Sequence, residues 1–115
     1  MFSDKTKQYF LATSKKAFLE SFSEANEKSK KFSFGEVLFV KNGVDVYAIK
    51  NKCPHQGSKM EGCEIEEGKV ICPRHRYRFN LETGRGHSLY LPIYELKEKE
   101  DGFYLLHTYF SWFGE

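Results

Sequence analysis

With 115 residues, the chain has enough material for one folded domain and too little for a second, so we predict a single domain over residues 1–115. Aromatic residues make up 17% of the chain, and long alanine- and leucine-rich runs are missing, which favours β-structure. The formal net charge of +2, spread over intermixed acids and bases, argues against nucleic acid as a partner. No apolar run is long enough for a signal peptide or a membrane span, and three cysteines, an odd number, suit a reducing compartment. We therefore expect a soluble, cytoplasmic protein with no membrane partner.

The first third of the chain is predicted to form a strand, a short helix and a loop. Residues 8–13 are apolar and aromatic, as in a strand. From Ser14, a candidate N-cap, to about residue 26, the apolar residues fall on roughly one helical face, which predicts a short helix. Residues 24–31 are charged and have no hydrophobic anchor, so we expect a solvated loop there.

Two β-hairpins are predicted further along the chain. The segments 32–41 and 44–51 flank Asn42-Gly43, a dipeptide that is typical of two-residue hairpin turns. The second hairpin turns about Glu100-Asp101-Gly102, between a strand over residues 93–99 and one over 103–109. The remaining predicted elements are short strands at 69–72 and 78–81, a turn at 82–86, an apolar loop at 89–92, and an apolar tail with Trp112 and Phe113.

The stretch between the hairpins concentrates metal-ligating side chains. Two of the three cysteines and two of the four histidines lie in Cys53-Pro54-His55 and Cys72-Pro73-Arg74-His75. Thiolates and imidazoles are ligands of both zinc and iron–sulfur clusters. Zinc fingers place two cysteines before two histidines, whereas here each motif supplies one of each. Mixed motifs suit a two-iron centre in which one iron takes both thiolates and the other takes both imidazoles. A zinc-stabilised interaction module is the alternative.

The two motifs resemble the paired ligand boxes of Rieske iron–sulfur proteins, and the similarity continues through Phe79, Thr83-Gly84 and Leu91-Pro92. It extends over about residues 36–108. The resemblance implies an all-β fold of antiparallel sheets, in which a small cluster-binding subdomain, about residues 52–90, is inserted into a larger β-framework. It also implies an apolar loop at residues 89–92 that shields one 2Fe–2S cluster. In that cluster the thiolates of Cys53 and Cys72 would bind one iron, and the imidazoles of His55 and His75 would bind the other.

The chain departs from the pattern of high-potential Rieske proteins at several positions. Those of respiratory complexes carry an extra cysteine in each box, joined as a disulfide, where this chain has Ser58 and Arg74. They also place Ser and Tyr after the last ligand, where this chain has Tyr77 and Phe79, and Phe79 cannot donate a hydrogen bond to sulfur. This change predicts a low reduction potential, although the positive charges of Arg74 and Arg76 act in the opposite direction. Arg76 also stands where the family usually has Gly.

Three further candidate ligands are interpreted as structural residues. Cys63 lies outside both boxes and is expected to be a small buried hydrophobe. His87 lies in a glycine-rich loop and His107 in a predicted strand. Rieske oxygenases add a mononuclear iron in a large catalytic domain, and no sequence for such a domain surrounds these histidines. The chain is therefore not expected to be an enzyme in its own right.

The resemblance implies one-electron transfer with no small-molecule substrate bound by this chain. It suggests a Rieske-type ferredoxin that passes electrons from a flavin-dependent reductase to a terminal oxygenase. The alternative from another class is a small regulatory or structural subunit of a larger oxidoreductase, similar to the nitrite reductase small subunit. We expect the partners to bind the exposed tip of the cluster site, with a basic rim that favours an acidic partner. The expected members of the tip are His55, Gln56, His75, Leu89 and Leu91. The expected members of the rim are Lys52, Lys59, Arg74 and Arg76.

Overall fold

The computed structural model describes residues 2–112, and side chains over residues 5–108. These residues form eleven strands and one short helix, which confirms the predicted all-β, antiparallel fold. In chain order the elements are β1 (Phe2–Ala12), α1 (Lys15–Glu20), β2 (Glu27–Phe32), β3 (Gly35–Asn42), β4 (Asp45–Lys50), β5 (Glu64–Glu66), β6 (Lys69–Ile71), β7 (Arg78–Asn80), β8 (Arg85–Gly86), β9 (Leu89–Tyr90), β10 (Ile93–Lys99) and β11 (Gly102–Trp112). Contacts divide the chain into two compact units, one comprising Met1–Ser21 with Tyr94–Glu115 and the other Phe22–Ile93.

In the first unit, β11 pairs antiparallel with β1 and with β10, and the turn between β10 and β11 lies at Glu100 and Asp101 as predicted. The helix is shorter than predicted, because Ser23 adopts a φ of 55° that a continuing helix cannot accommodate. Its start is correct: Oγ of Ser14 accepts a hydrogen bond from the backbone N–H of Ala17 at 3.0 Å. β11 reaches Trp112, and Phe113 lies outside the described residues.

In the second unit, β3 pairs with both β2 and β4, and it buries four consecutive residues. The prediction of a loop at residues 24–31 is wrong from Glu27 onward, since Glu27–Phe32 forms β2 and pairs with residues 35–40 of β3. The lysine-rich sequence of β2 carries little hydrophobic signal of its own, and the buried partner strand supplies its hydrogen bonds. The first hairpin is confirmed, but its turn is shifted by one residue: Asn42 pairs with Asp45, so the turn residues are Gly43 and Val44, with a φ of 67° at Gly43.

The rest of the second unit consists of short ladders. β6 pairs with β5 and β7. β6 and β7 lie within the strands predicted at 69–72 and 78–81, whereas no strand was predicted at β5. The predicted turn at 82–86 and loop at 89–92 are partly wrong, because their ends pair as the two-residue strands β8 and β9. Only glycine fits at position 84: a Cβ there would lie 2.1 Å from the carbonyl oxygen of Leu91, whose N–H donates to the carbonyl of Gly84. This close approach holds the segment after β9 against the turn before β8.

The buried core of this unit surrounds the predicted ligand cysteines. It contains aliphatic and aromatic residues together with two sulfur-bearing ligand candidates: Leu38, Val40, Ile49, Cys53, Met60, Val70, Cys72, Phe79, Leu81 and Leu91. In the part of the chain that the structure describes, no helix has the length and apolar character needed to cross a membrane.

Candidate metal centre

The first ligand motif lies on a tight loop that follows β4. The backbone N–H of Cys53 donates to the carbonyl of Ser58 at 2.6 Å, and the N–H of Gly57 donates to the carbonyl of Cys53 at 2.7 Å. Just before the loop, Asn51 is buried and its Oδ1 accepts a hydrogen bond from the N–H of Met60 at 2.8 Å. Both ends of the loop are thereby fixed to the end of a buried hairpin.

The second motif repeats this pattern between β6 and β7. The N–H of Cys72 donates to the carbonyl of Tyr77 at 2.8 Å, and the N–H of Arg76 donates to the carbonyl of Cys72 at 2.9 Å. Arg76 therefore occupies the place that Gly57 holds in the first loop. Both residues have left-handed backbones, with φ of 60° at Arg76 and 77° at Gly57. The family's usual glycine at position 76 thus has a physical reason, because an arginine with this backbone is strained.

The two loops bring the cysteines together in the core. Cys53 is 1% exposed and Cys72 is fully buried, and both side chains belong to one buried cluster, where they lie close enough to interact. Burial is the largest cause that raises the pKa of the Cys53 thiol, and the neighbouring Cys72 raises it further. The neighbouring backbone N–H groups of His55 and Gln56 act in the opposite direction and lower the pKa of the Cys53 thiol. Such N–H donors would stabilise a metal-bound thiolate.

The two histidines form a second pair nearer the surface. The ring centroids of His55 and His75 lie 5.0 Å apart, with their planes nearly perpendicular at 84°. His75 is exposed and His55 is half-buried. The Nδ1 atom of His55 is buried and has no hydrogen-bond partner among the described residues. An unpartnered buried ring nitrogen is costly, and a metal ion bound to it would remove that cost.

This donor set fits a two-iron cluster. Two thiols lie beside each other and two imidazole rings lie beside each other, so each iron of a 2Fe–2S centre could take one pair. Among the residues with described side chains, no three His, Cys, Asp or Glu side chains are arranged to hold a single metal ion. The positive observations, paired donors and an orphaned His55 Nδ1, are those that a Rieske-type centre requires.

An aromatic contact beside the histidines has no counterpart in the sequence-based predictions. The ring of Tyr77 stacks on that of His55, and the ring of His87 lies 4.5 Å from that of Tyr77. Nε2 of His87 also accepts a hydrogen bond from the backbone N–H of Arg78 at 3.1 Å. His87 is thus a structural residue, as predicted, but it belongs to the surroundings of the site. Only a hairpin between β8 and β9, which the sequence did not reveal, brings it there.

The predicted basic rim is only partly present. Lys59 forms an ion pair with Glu36 at 2.8 Å and Arg76 forms one with Glu64 at 2.9 Å, so neither charge is free. Leu91, predicted to lie on the exposed tip, is fully buried in the core, which makes that assignment wrong. The hydrogen bond that its backbone N–H donates to the Gly84 carbonyl and its packing with the core draw it inward.

The remaining two candidates lie apart from the site. Cys63 is half-buried, packs against the core, and has its pKa raised to about 12, chiefly by burial and then by the charge of Glu27. His107 is half-buried in β11, with its ring 6.0 Å from that of Tyr94, and burial lowers its pKa. Both therefore agree with the structural interpretation.

Comparison with known proteins identifies the family. A family model described as "Rieske [2Fe-2S] domain" matches residues 16–93, more than half of the chain. The chain belongs to the Rieske [2Fe-2S] domain family. This membership confirms the resemblance that the ligand boxes indicated, and it assigns the chain to an electron-transfer family whose domain binds one 2Fe–2S cluster.

The relatives in sequence are similar to this Rieske chain over less than half of its length. Apoptosis-inducing factor 3 of Mus musculus is 39% identical over 51 residues, which are 44% of this chain and 8% of that protein. The ferredoxin component of the alkene monooxygenase system of Xanthobacter autotrophicus is 42% identical over 52 residues, or 44% of this chain and 43% of that protein. The alignments therefore span well under two thirds of these relatives.

Solved structures share the fold along most of the chain. The ferredoxin of carbazole 1,9a-dioxygenase from Nocardioides aromaticivorans IC177 has a TM-score of 0.66 and 23% identity, covering 86% of this chain and 96% of that one. A putative NADH-dependent nitrite reductase small subunit from Mycobacterium tuberculosis has a TM-score of 0.64 and 14% identity, covering 91% and 96%. At such identities the likeness concerns the fold.

Proposed function

We propose that this chain is a one-electron carrier, built as a single domain over residues 1–115, whose 2Fe–2S cluster is held by two pairs of ligands. Cys53 and Cys72 would bind one iron, and His55 and His75 would bind the other. The observation that carries this assignment is the grouping of the donors: two buried thiols lie in one cluster, two imidazoles lie side by side, and the buried Nδ1 of His55 has no hydrogen-bond partner among the described residues.

The chain's own residues would protect one side of the centre and expose the other. The cysteines lie in the same buried cluster as Met60, Phe79 and Leu91, which would keep water from the sulfurs. His75 is exposed, so an electron could leave or enter at the imidazole side. A Rieske centre supplies reversible one-electron transfer when bound. No bond in a substrate needs to be broken for that task.

The partners follow from the family context. We propose that a flavin-dependent reductase donates electrons to the chain and that a terminal oxygenase receives them. The ferredoxin component of an alkene monooxygenase system and the ferredoxin of a carbazole dioxygenase support this assignment, as proteins that this chain resembles. A cytoplasmic location is consistent with the three free cysteines.

A second candidate is a small structural or regulatory subunit of a larger oxidoreductase. The similarity in fold to a nitrite reductase small subunit supports it. The presence of all four candidate ligands, already gathered in pairs, favours the electron carrier. The third candidate is a zinc-stabilised interaction module, which metal analysis of the purified protein distinguishes from an iron–sulfur protein.

Purification under anaerobic conditions tests the proposal. The expected product is red-brown, with two irons and two acid-labile sulfides per chain, and it accepts one electron. His55→Cys is expected to change the visible spectrum, whereas Gln56→Ala, beside it, should leave the spectrum intact. A colourless protein holding one zinc would contradict the cluster. A cluster-bearing protein that accepts no electron from a reductase would favour the subunit instead.

A further inference from the structure

The ring of Tyr77 contacts two imidazoles, one of a candidate ligand and one of a residue outside both ligand motifs. Its centroid lies 4.1 Å from that of His55, with planes inclined by 22°, and 4.5 Å from that of His87, with planes inclined by 34°. Both contacts are closer to parallel stacking than to a perpendicular arrangement. His87 therefore reaches the candidate ligand through Tyr77.

The β8–β9 hairpin carries His87 to this place, and a glycine permits the approach. A Cβ at Gly86 would lie 2.0 Å from the carbonyl oxygen of Arg78, so only glycine lets β8 pack this closely against β7. The N–H of the same Arg78 donates to Nε2 of His87 at 3.1 Å. The imidazole also meets the ring of the buried Phe79 at 6.4 Å, with planes 72° apart. The position of the His87 ring is thus fixed from several sides.

The turn that presents His87 has an unfavourable backbone. The φ values of His87 and Ser88 are 54° and 61°, and a two-residue turn of this kind favours asparagine and glycine. The contacts of the His87 ring offset part of the cost. Residues held in such sparsely populated conformations cluster at functional sites, where the surrounding structure maintains them.

The two candidate imidazoles are held differently. His75 is exposed, and its ring meets that of Tyr77 only at 6.5 Å, with planes 75° apart. His55 is half-buried under the stacked Tyr77 ring, and its buried Nδ1 has no hydrogen-bond partner among the described residues. An imidazole turns only about its two side-chain bonds, so a ring stacked on its face limits the direction of Nδ1. The Tyr77–His87 pair thus restrains one imidazole and leaves the other open.

We propose that His87 is a positioning residue of the electron-transfer site, which acts through Tyr77 to hold the His55 imidazole in the orientation that binds iron. This inference rests on the proposed function and deepens it. Groups that do not bind a metal can orient its ligands, and here two aromatic rings perform that task. A ligand that is already fixed has little to rearrange when an electron arrives or leaves. His75, outside this contact, remains the exposed imidazole through which the electron passes.

Pulsed EPR of the reduced, cluster-bearing protein tests the proposal, because it detects nitrogen atoms bound to iron. The coupling of such a nitrogen to the unpaired electron depends on the orientation of its ring. In His87→Ala, one of the two nitrogen signals should shift and broaden, and the other should keep its wild-type position. His87→Gln keeps an acceptor for the Arg78 N–H without a ring and should behave as His87→Ala does. His87→Phe keeps a ring without the acceptor and should restore both signals.

Ligand variants identify the nitrogen that changes. In His75→Cys the remaining signal belongs to His55, and adding His87→Ala should shift it. In His55→Cys the remaining signal belongs to His75, and the same addition should leave it in place. Tyr90→Ala removes an exposed ring from the same hairpin and is the matched control, which should leave both signals unchanged. Unchanged signals in His87→Ala, a change confined to His75, or an equal change in the control would overturn the proposal.

The rate at which an iron chelator removes the cluster gives a second measurement. Loss of a group that orients a metal ligand commonly lowers metal affinity about 10- to 100-fold, so His87→Gln should lose its chromophore about tenfold faster than the wild type. His87→Phe and Tyr90→Ala should lose it at the wild-type rate. A faster loss in His87→Phe than in His87→Gln would show that the hydrogen bond, and not the ring, matters, and would overturn the proposal.

Failure of this inference and failure of the proposed function give different results. If the wild-type protein shows two coupled nitrogens and every His87 variant shows the same two, the positioning role fails and the electron carrier stands. If the wild-type protein binds no cluster, or its reduced cluster shows no coupled nitrogen, the proposed ligand set fails and the positioning role fails with it.

Discussion

The ring of Tyr77 stacks on the ring of His55, with centroids 4.1 Å apart and planes inclined by 22°. This contact fixes the plane of a candidate iron ligand, and the backbone carbonyl of the same tyrosine accepts the hydrogen bond from the N–H of Cys72. A single residue therefore links the second ligand loop to the imidazole of the first. Phe79, two residues further on, is fully buried and has no hydrogen-bond donor for a sulfur atom. The low reduction potential expected from the sequence on this ground stays a prediction.

Removal of the Tyr77 ring should loosen His55. An aromatic pair contributes roughly 0.5–1.5 kcal/mol beyond its buried area. We expect Tyr77→Ala to lose its visible chromophore several times faster than the wild type in the presence of an iron chelator. Tyr77→Phe keeps the stacked ring and serves as the matched control, with a rate close to that of the wild type. Equally fast loss in both variants would show that the hydroxyl, and not the stack, matters, and wild-type rates in both would show that neither does.

Arg76→Gly should stabilise the folded protein. The left-handed backbone at Arg76 suits glycine, as at the equivalent Gly57, and the exposed ion pair with Glu64 that would be lost contributes little. We expect the melting temperature of the cluster-bearing protein to rise by about 4 °C. Arg76→Ala removes the same ion pair and keeps the unfavourable backbone, so it should show no rise. A rise of the same size in both variants would contradict this explanation.

The two-residue turn between β8 and β9 offers a related comparison. His87 and Ser88 both have positive φ values, 54° and 61°, which non-glycine residues rarely adopt. Ser88→Gly should therefore raise the melting temperature. His87→Gly relieves the same kind of strain but removes the ring beside Tyr77 and the acceptor of the Arg78 N–H, so its gain should be smaller or reversed. An equal gain in both would mean that the His87 contacts contribute nothing.

Cys63 should be unreactive in the folded protein. Its pKa is raised from an ordinary value of 9.0 to about 12, which leaves a roughly thousandfold smaller thiolate fraction near pH 8. Iodoacetamide should therefore label Cys63 in the cluster-bearing protein at least a hundredfold more slowly than in the urea-unfolded chain, as followed by mass spectrometry. Labelling as fast as in the unfolded chain would show that the thiol is open and ionisable. Cys63→Ala identifies the labelled site.

The site was largely predictable because its signals are local. Ligand spacing within each motif and the turn chemistry of the Asn42-Gly43 hairpin are written in short stretches, so the positions of Cys53 and Cys72 at the ends of β-elements followed directly. The left-handed backbone at Arg76 could also be anticipated, from the glycine that the family usually has there.

The rest depends on contacts between distant residues. β2 forms because β3 offers a buried partner, although its own lysine-rich sequence resembles a loop. The neutralisation of Lys59 by Glu36 joins positions 23 residues apart, and the approach of His87 to Tyr77 depends on a strained two-residue turn. The sequence does not predict the burial of Leu91, because this burial depends on the close contact with Gly84. No periodicity in the sequence reports such contacts.

The most direct test of the account is pulsed EPR on the reduced protein, which detects nitrogen atoms bound to the iron of a cluster. We predict two strongly coupled nitrogens in the wild type, with one remaining when either His55 or His75 is replaced by cysteine and the cluster is retained. A reduced cluster with no coupled nitrogen, or an unchanged pair of nitrogens in both variants, would contradict the assignment of Cys53, His55, Cys72 and His75 as its ligands.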